Sequence, residues 1–326
     1  MFDYNIAEVS RQEILPKLSE RMIYKDLLTP YIKKMYQSKY DKNFLLSERS
    51  KNKIENFENC GTNILINSDN HIVGANFCKQ RLCPVCNYRR STLMWHKINQ
   101  ITSQFEENHF VFITLTVKNC IDEELSKTID NMLQSFKRIT NRKTWQKNFI
   151  GYVRGLEITY NAKENTYHPH IHILAVTSKE YYKSDYVDIH TLRNWWKESA
   201  RLDYFVQVNI ESVKDRKKAV AEVAKYAVKM STVLDTGISA KTLRATQVIA
   251  SCIENRRLIA TGGAITKAAK VLKINMEEDE SFSPEERFSS SNMCVWNGDS
   301  YEIIDLKKEV NQSHNQKEKT FTKWKK

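Results

Sequence analysis

Three of the eight histidines fall within five residues, His168-Pro169-His170-Ile171-His172. Alternate side chains of a strand share a face, so His170 and His172 point one way and Ile171 and Ile173 the other. Two imidazoles on adjacent same-face positions can hold one metal ion. The run YVRGLEITY (152–160) precedes HIHILAV (170–176), with the polar loop NAKENT between them. If these strands pair around that loop, Glu157 lies opposite His170 or His172, within cross-strand reach. A His-His-Glu set of nitrogen and oxygen donors suits Mn2+ or Mg2+ and leaves positions open for phosphate oxygens. His168 is a further candidate, as a third ligand or a phosphate contact. An exposed polar strand face is the plainer alternative, but an acid in register with the histidines favours the metal site.

Sulfur supplies a second cluster. Cys60 is followed by Cys78, Cys83 and Cys86, the last two in a Cys-Pro-Val-Cys knuckle. NILIN and HIVGANF flank Ser68-Asp69-Asn70 and read as a hairpin between the two cysteine groups. Four thiolates arranged in this way suit a structural Zn2+, with no position left open for catalysis. A small loop-rich module would draw much of its folding free energy from that ion. Cys120, Cys252 and Cys294 are scattered and read as ordinary thiols.

A third group lies on a helix predicted over 216–231. Along AVAEVAKYAVKM, helical spacing puts Ala219, Val220, Val223, Ala224, Ala227 and Val228 on one half. Glu222, Tyr226 and Lys229 then share one flank, at i, i+4 and i+7. An acid, a phenol and an amine so placed could be base, nucleophile and phosphate clamp. They could equally be a core-edge tyrosine and a solvated ion pair.

These side chains need a scaffold, and the patterns supply one. FVFITLTV from Phe110 is rich in β-branched and aromatic residues and reads as a strand. Leu125, Ile129, Met132, Leu133 and Phe136 have helical spacing within 122–140. A helix over 186–200 and a strand over 204–213 complete the order β-α-β-β-α-β, followed by the helix of Tyr226. That order predicts an α+β fold with a ferredoxin- or RRM-like antiparallel sheet and helices on one face. Residues 91–106 and 241–275 read as helical, the latter broken at Gly262-Gly263. Residues 1–56 form a basic segment and 57–106 the four-cysteine zinc-binding module with its helix. The core is expected over 107–235, a helical extension over 236–275, and a disordered linker with a lysine-rich tail over 276–326.

Composition bounds the setting. The chain has 326 residues with 51 basic and 39 acidic side chains, a net charge of +12. That balance favours a polyanionic partner, most often nucleic acid. With 41% hydrophobic and 28% charged residues, a mostly disordered chain is excluded. No apolar run is long enough to span a bilayer, and the first residues do not read as a secretory signal. A cytoplasmic protein with reduced or metal-bound cysteines is expected.

Taken together, FITLTVKN (112–119), HPHIHIL (168–174) and EVAKYAVK (222–229) resemble the three motifs of replication initiators of Gram-positive rolling-circle plasmids. These belong to the HUH endonucleases, named for His-hydrophobic-His. CKQRLCPVCNYRRS (78–91) and RRLIATGG (256–263) are similar to that family too, and the resemblance spans about residues 57–275. It implies a metal pair at His170 and His172, with Glu157 where such sheets supply the third ligand. It implies Tyr226 as nucleophile, Glu222 as the activator of water in the closing step, and Lys229 as its accompanying lysine. Arg89, Arg90, Arg256 and Arg257 become expected DNA contacts. The implied activity is nicking of one strand at the double-strand origin, where the DNA is locally single-stranded, leaving a 5′-phosphotyrosine and a free 3′-OH. Host helicase and polymerase would be the partners, and no membrane is involved. A single-tyrosine HUH transposase or relaxase, or a zinc-containing DNA-binding regulator, are the competing readings.

Overall fold

The computed structural model describes residues 11–40, 48–68, 72–225, 239–276, 287 and 289–306. The chain divides into two compact units, one of residues 89–278 and one combining 1–88 with 279–326.

The first of these units is built on strands β3 (Phe110–Thr116), β4 (Phe149–Asn161), β5 (Thr166–Thr177), β6 (Val208–Ser212) and β7 (Ile259–Gly263). They form one antiparallel sheet in the order β6-β3-β5-β4-β7. Helices α4 (Asp122–Thr140) and α6 (Ile189–Ala200) pack along each other. On α4, Leu125, Ile129, Met132, Phe136 and Ile139 are buried at intervals of three and four, the stripe that a core-facing helix needs. Acidic residues at its start and Lys137 and Arg138 in its last turn suit the helix dipole. The short α5 (Lys143–Asn148) leads straight into β4 and sets the buried Trp145 edge-on to Phe136. The Phe136 ring also meets Tyr152 edge-on, so α4 covers the sheet face that also carries Ile171 and Ile173. The opposite face carries His170 and His172 and receives α7 (Arg216–Ala224), so the helices are not confined to one side.

Two further expectations fail in this unit. Residues 259–263 are a strand, not part of a helical extension, because the outer edge of β4 gains a hydrogen-bonded partner from Gly155↔Ile259 to Gly151↔Gly263. Of the helix expected over 216–231, α7 covers Arg216–Ala224 and Lys225 has extended backbone angles (φ −54°, ψ 133°), while 226–231 lie outside the described residues.

The other unit holds α1 (Arg11–Tyr40), α2 (Glu48–Glu58) and a sheet in the order β2-β1-β8-β9. Its strands are β1 (Asn63–Asn67), β2 (Ile72–Ala75), β8 (Ser290–Trp296) and β9 (Tyr301–Asp305). The expected β1–β2 pairing is present. The expected disorder of 276–326 does not hold for Ser290–Asp305. That stretch folds back as a hairpin, with β8 paired to β1 and Cys294 buried. The lysine tail from Lys307 onward lies outside the described residues. Lys25 of α1 is buried and donates to the Glu58 carbonyl at 2.6 Å, a cation closing the C-terminus of α2. Among the described residues no helix is long and apolar enough to cross a membrane.

Candidate active site

In the β4–β5 pair, Glu157 stands opposite His170 and Gly155 opposite His172. The period-2 geometry puts all four on one face. Glu157 is 4% exposed, and its Oε2 lies 2.8 Å from His170 Nε2 and 2.9 Å from His172 Nε2.

The hydrogen bonds behind the rings decide what that convergence can hold. His170 Nδ1 lies 3.2 Å from the His168 carbonyl oxygen. A carbonyl only accepts, so Nδ1 donates, and in the neutral ring Nε2 carries the lone pair. That lone pair faces a carboxylate oxygen, and two such atoms repel unless a proton or a metal ion lies between them. The separations of 2.8 and 2.9 Å are close to the edge of about 3 Å in a six-fold shell with bonds of about 2.1 Å. Glu157, His170 and His172 therefore fit a divalent ion. His168 contributes its backbone carbonyl to this arrangement, and burial, then the neighbouring His170, lowers its imidazole pKa.

His172 is oriented from the other side. Its Nδ1 lies 3.2 Å from the hydroxyl of Thr114, its cross-strand partner on β3. Thr114 stands on the metal face because it alternates with the residues beside it in FITLT. That alternation is visible in the sequence, but by itself it reports only a strand. Thr114→Val keeps the shape and deletes the hydroxyl, so Mn2+ binding is expected to weaken by about 10- to 100-fold with little change in melting temperature. Calorimetric titration of the variant checks this, and unchanged affinity would leave Thr114 a packing role only.

Gly155 is the second residue that sequence reasoning missed. A Cβ at this position would lie 2.6 Å from the Val223 carbonyl oxygen. Glycine lets α7 settle directly on the metal-bearing face. Glu222, one residue before Val223, is ion-paired with Lys225 rather than with Lys218. It also lines a cleft of about 380 Å³ with Phe112, Glu211, Lys214 and Lys218. Tyr226 and Lys229 lie outside the described residues.

The expected DNA contacts divide. Arg89 and Arg90 are buried, which does not suit side chains meant to reach phosphates in solvent. Arg256 clasps Asp130 with two nitrogens at 2.8–3.0 Å and also donates to the Ser126 hydroxyl, so it ties its loop to α4. Arg257 is exposed.

The cysteines converge as well. Cys60 Sγ lies 3.5 Å from the sulfurs of Cys83 and Cys86, and Cys78 Sγ lies 3.7 Å from that of Cys86. A tetrahedron of thiolates with metal–sulfur bonds of about 2.3 Å has edges of about 3.8 Å. Helix α3 (Pro84–Thr102) opens on Pro84, the residue best suited to a first turn, and sets Cys86 in that turn. Gly61 follows Cys60 with φ +76°, and a Cβ there would press within 3.0 Å of Val85. Contact with Cys78 leads the causes that raise the Cys60 thiol far above its usual pKa, and burial leads those for Cys83. A divalent ion reverses that tendency by stabilising the thiolates. The four residues could hold a metal ion.

Residues 69–324 match the family described as Replication protein, a stretch that includes Cys78, Cys83, Cys86, Glu157, His170 and His172. A Protein rep of Streptococcus pneumoniae serotype 2 (strain D39 / NCTC 7466) is 38% identical over 191 residues, covering 54% of this chain and 60% of that protein. A Protein rep of Staphylococcus aureus is 31% identical over 212 residues, covering 62% of this chain and 93% of its own length. One from Bacillus sp is 31% identical over 227 residues, covering 63% and 74%. No solved structure matches the chain. The family match over most of the chain and these shared identities make it a member of the Replication protein family, the Rep proteins of rolling-circle plasmids of Gram-positive bacteria.

Proposed function

We propose that the protein starts rolling-circle replication by nicking one strand of a plasmid double-strand origin, as an HUH-type endonuclease and strand transferase. The observation that carries this is the meeting of His170 Nε2, His172 Nε2 and Glu157 Oε2 on one sheet face. The strand order β6-β3-β5-β4 supports a ferredoxin-like core, to which β7 is added. Mn2+ or Mg2+ at these residues would polarise the scissile phosphate and offset its developing charge. Zn2+ at Cys60, Cys78, Cys83 and Cys86 would be structural.

Tyr226 is the nucleophile in this reading. Its phenol oxygen forms a bond to phosphorus as the bond to the 3′ oxygen breaks. The 3′ oxygen takes up a proton and leaves as a free 3′-OH for host polymerase, with helicase unwinding ahead. Tyrosine ordinarily titrates near pH 10, so its proton must be removed or shared as it attacks. Glu222 serves as base for water in the closing cleavage, and Lys229 clamps phosphate.

The test is direct. Wild-type protein with Mn2+ or Mg2+ should convert supercoiled cognate plasmid to open circles and remain attached to a 5′ end. EDTA should stop this. Tyr226→Phe should still bind the origin but form no covalent adduct. A protein that shifts origin DNA without nicking it under either ion would be a regulator, and the proposal would fail.

A further inference from the structure

The loop 201–207, between α6 and β6, presents two aromatic rings, each with a cation over its face. Phe205 is 72% exposed, and the Arg193 guanidinium carbon lies 4.6 Å from its ring centroid. Lys118 Nζ lies 4.1 Å from the centroid of Tyr204, whose hydroxyl accepts from the Lys118 backbone N–H at 3.2 Å. Single exposed apolar residues are ordinary and need no explanation. Two adjacent rings with paired cations on a pinned loop are a different arrangement.

The pinning is specific. Val206 is buried, and its carbonyl accepts from Arg193 Nε at 3.1 Å. The Gln207 carbonyl accepts from the Thr116 hydroxyl at 2.7 Å. Thr116 is the cross-strand partner of His170. The loop is therefore rooted at the same end of the sheet as the metal residues, about two strand spacings or 10 Å from β5.

We propose that Phe205 and Tyr204, with Arg193 and Lys118, form a stacking platform for the bases of single-stranded DNA leading to the scissile phosphate. This rests on the nicking reading above. The π faces take bases of any sequence, and the two cations take the flanking phosphates. A duplex keeps its bases stacked on one another and offers the rings nothing to stack on.

The experiment is fluorescence anisotropy of a labelled oligo-dT single strand, with a labelled duplex as control, at one fixed salt concentration. Phe205→Ala is expected to weaken single-strand binding between about 5-fold and 150-fold. It should leave duplex binding and melting temperature unchanged, because the side chain is largely exposed and its cation neighbour Arg193 stays held by the Val206 carbonyl. Phe205→Trp should restore affinity by restoring a π face. Unchanged strand affinity in Phe205→Ala overturns the platform. So does a variant that loses only self-association, which would make the patch a contact between copies. A wild type that binds no single strand overturns both the platform and the nicking reading. A wild type that binds single strands through Phe205 but never nicks supports the platform and removes the endonuclease reading alone.

Discussion

His170→Ala combined with His172→Ala is expected to lower nicking by roughly three orders of magnitude or more while origin binding persists. The two imidazoles supply two of the three converging ligand atoms. The residues between and after them, Ile171 and Ile173, are fully buried on the other face and remain in place. The variant should therefore fold, with β5 still paired to β3 and β4. Mn2+ titration should show the loss of a divalent-ion site, and the initial nicking rate should fall with it. Nicking at the wild-type rate in the double variant would take this cluster out of the chemistry. Tyr226→Phe provides the contrast: it should lose the adduct and keep the ion.

Cys83→Ser should have a still broader effect, on folding rather than on the chemical step. Cys83 is wholly buried, and its sulfur lies 3.5 Å from that of Cys60. A serine hydroxyl is a poor substitute for a thiolate ligand. Structural ions of this kind contribute about 10–16 kcal/mol, which matches or exceeds the stability of a typical domain, about 5–15 kcal/mol. Elemental analysis should show about one zinc per chain in the wild type and little in the variant. Limited proteolysis should then cut rapidly within 48–88, while the five-stranded sheet, with its own buried core, stays protected. Full metal content and intact protease resistance in Cys83→Ser would end the structural role of the cluster.

Much of the central sheet was legible because its signals are local. The alternation in FITLT and HIHIL and the spacing of Leu125, Ile129 and Phe136 report strand and helix within a few residues. Placing Glu157 opposite His170 or His172 needed only strand parity and a short loop, and the Glu157↔His170 pair is the result. What was missed depends on distant partners. Residues 259–263, read as part of a helical stretch broken at Gly262-Gly263, form a strand because the edge of β4 is available to them. Ser290–Trp296 opens on three polar residues that continue a Ser-rich stretch, and its strand character comes from pairing with β1 and β9. The close seat of Val223 on Gly155 joins residues far apart in the chain, which helical periodicity cannot report. The burial of Arg89 and Arg90 was hidden for a related reason, since charge alone does not reveal the packing around it.

The pairing of β8 with β1 also governs the timing of chain synthesis. The Ser291 hydroxyl meets the Ile66 carbonyl across a separation of 225 residues. At about 5–20 residues per second, a ribosome needs roughly ten to forty-five seconds to make the intervening chain. Throughout that interval β1 has β2 on one side and an open row of backbone donors and acceptors on the other. An open strand edge is a template for pairing with another nascent chain. The complete sheet of residues 89–278 can be translated and folded within the same interval, since all its strands lie inside that span. A chain released before residue 290 would thus carry a finished central sheet and an uncapped β1, and only translation of the C-terminal hairpin closes that edge.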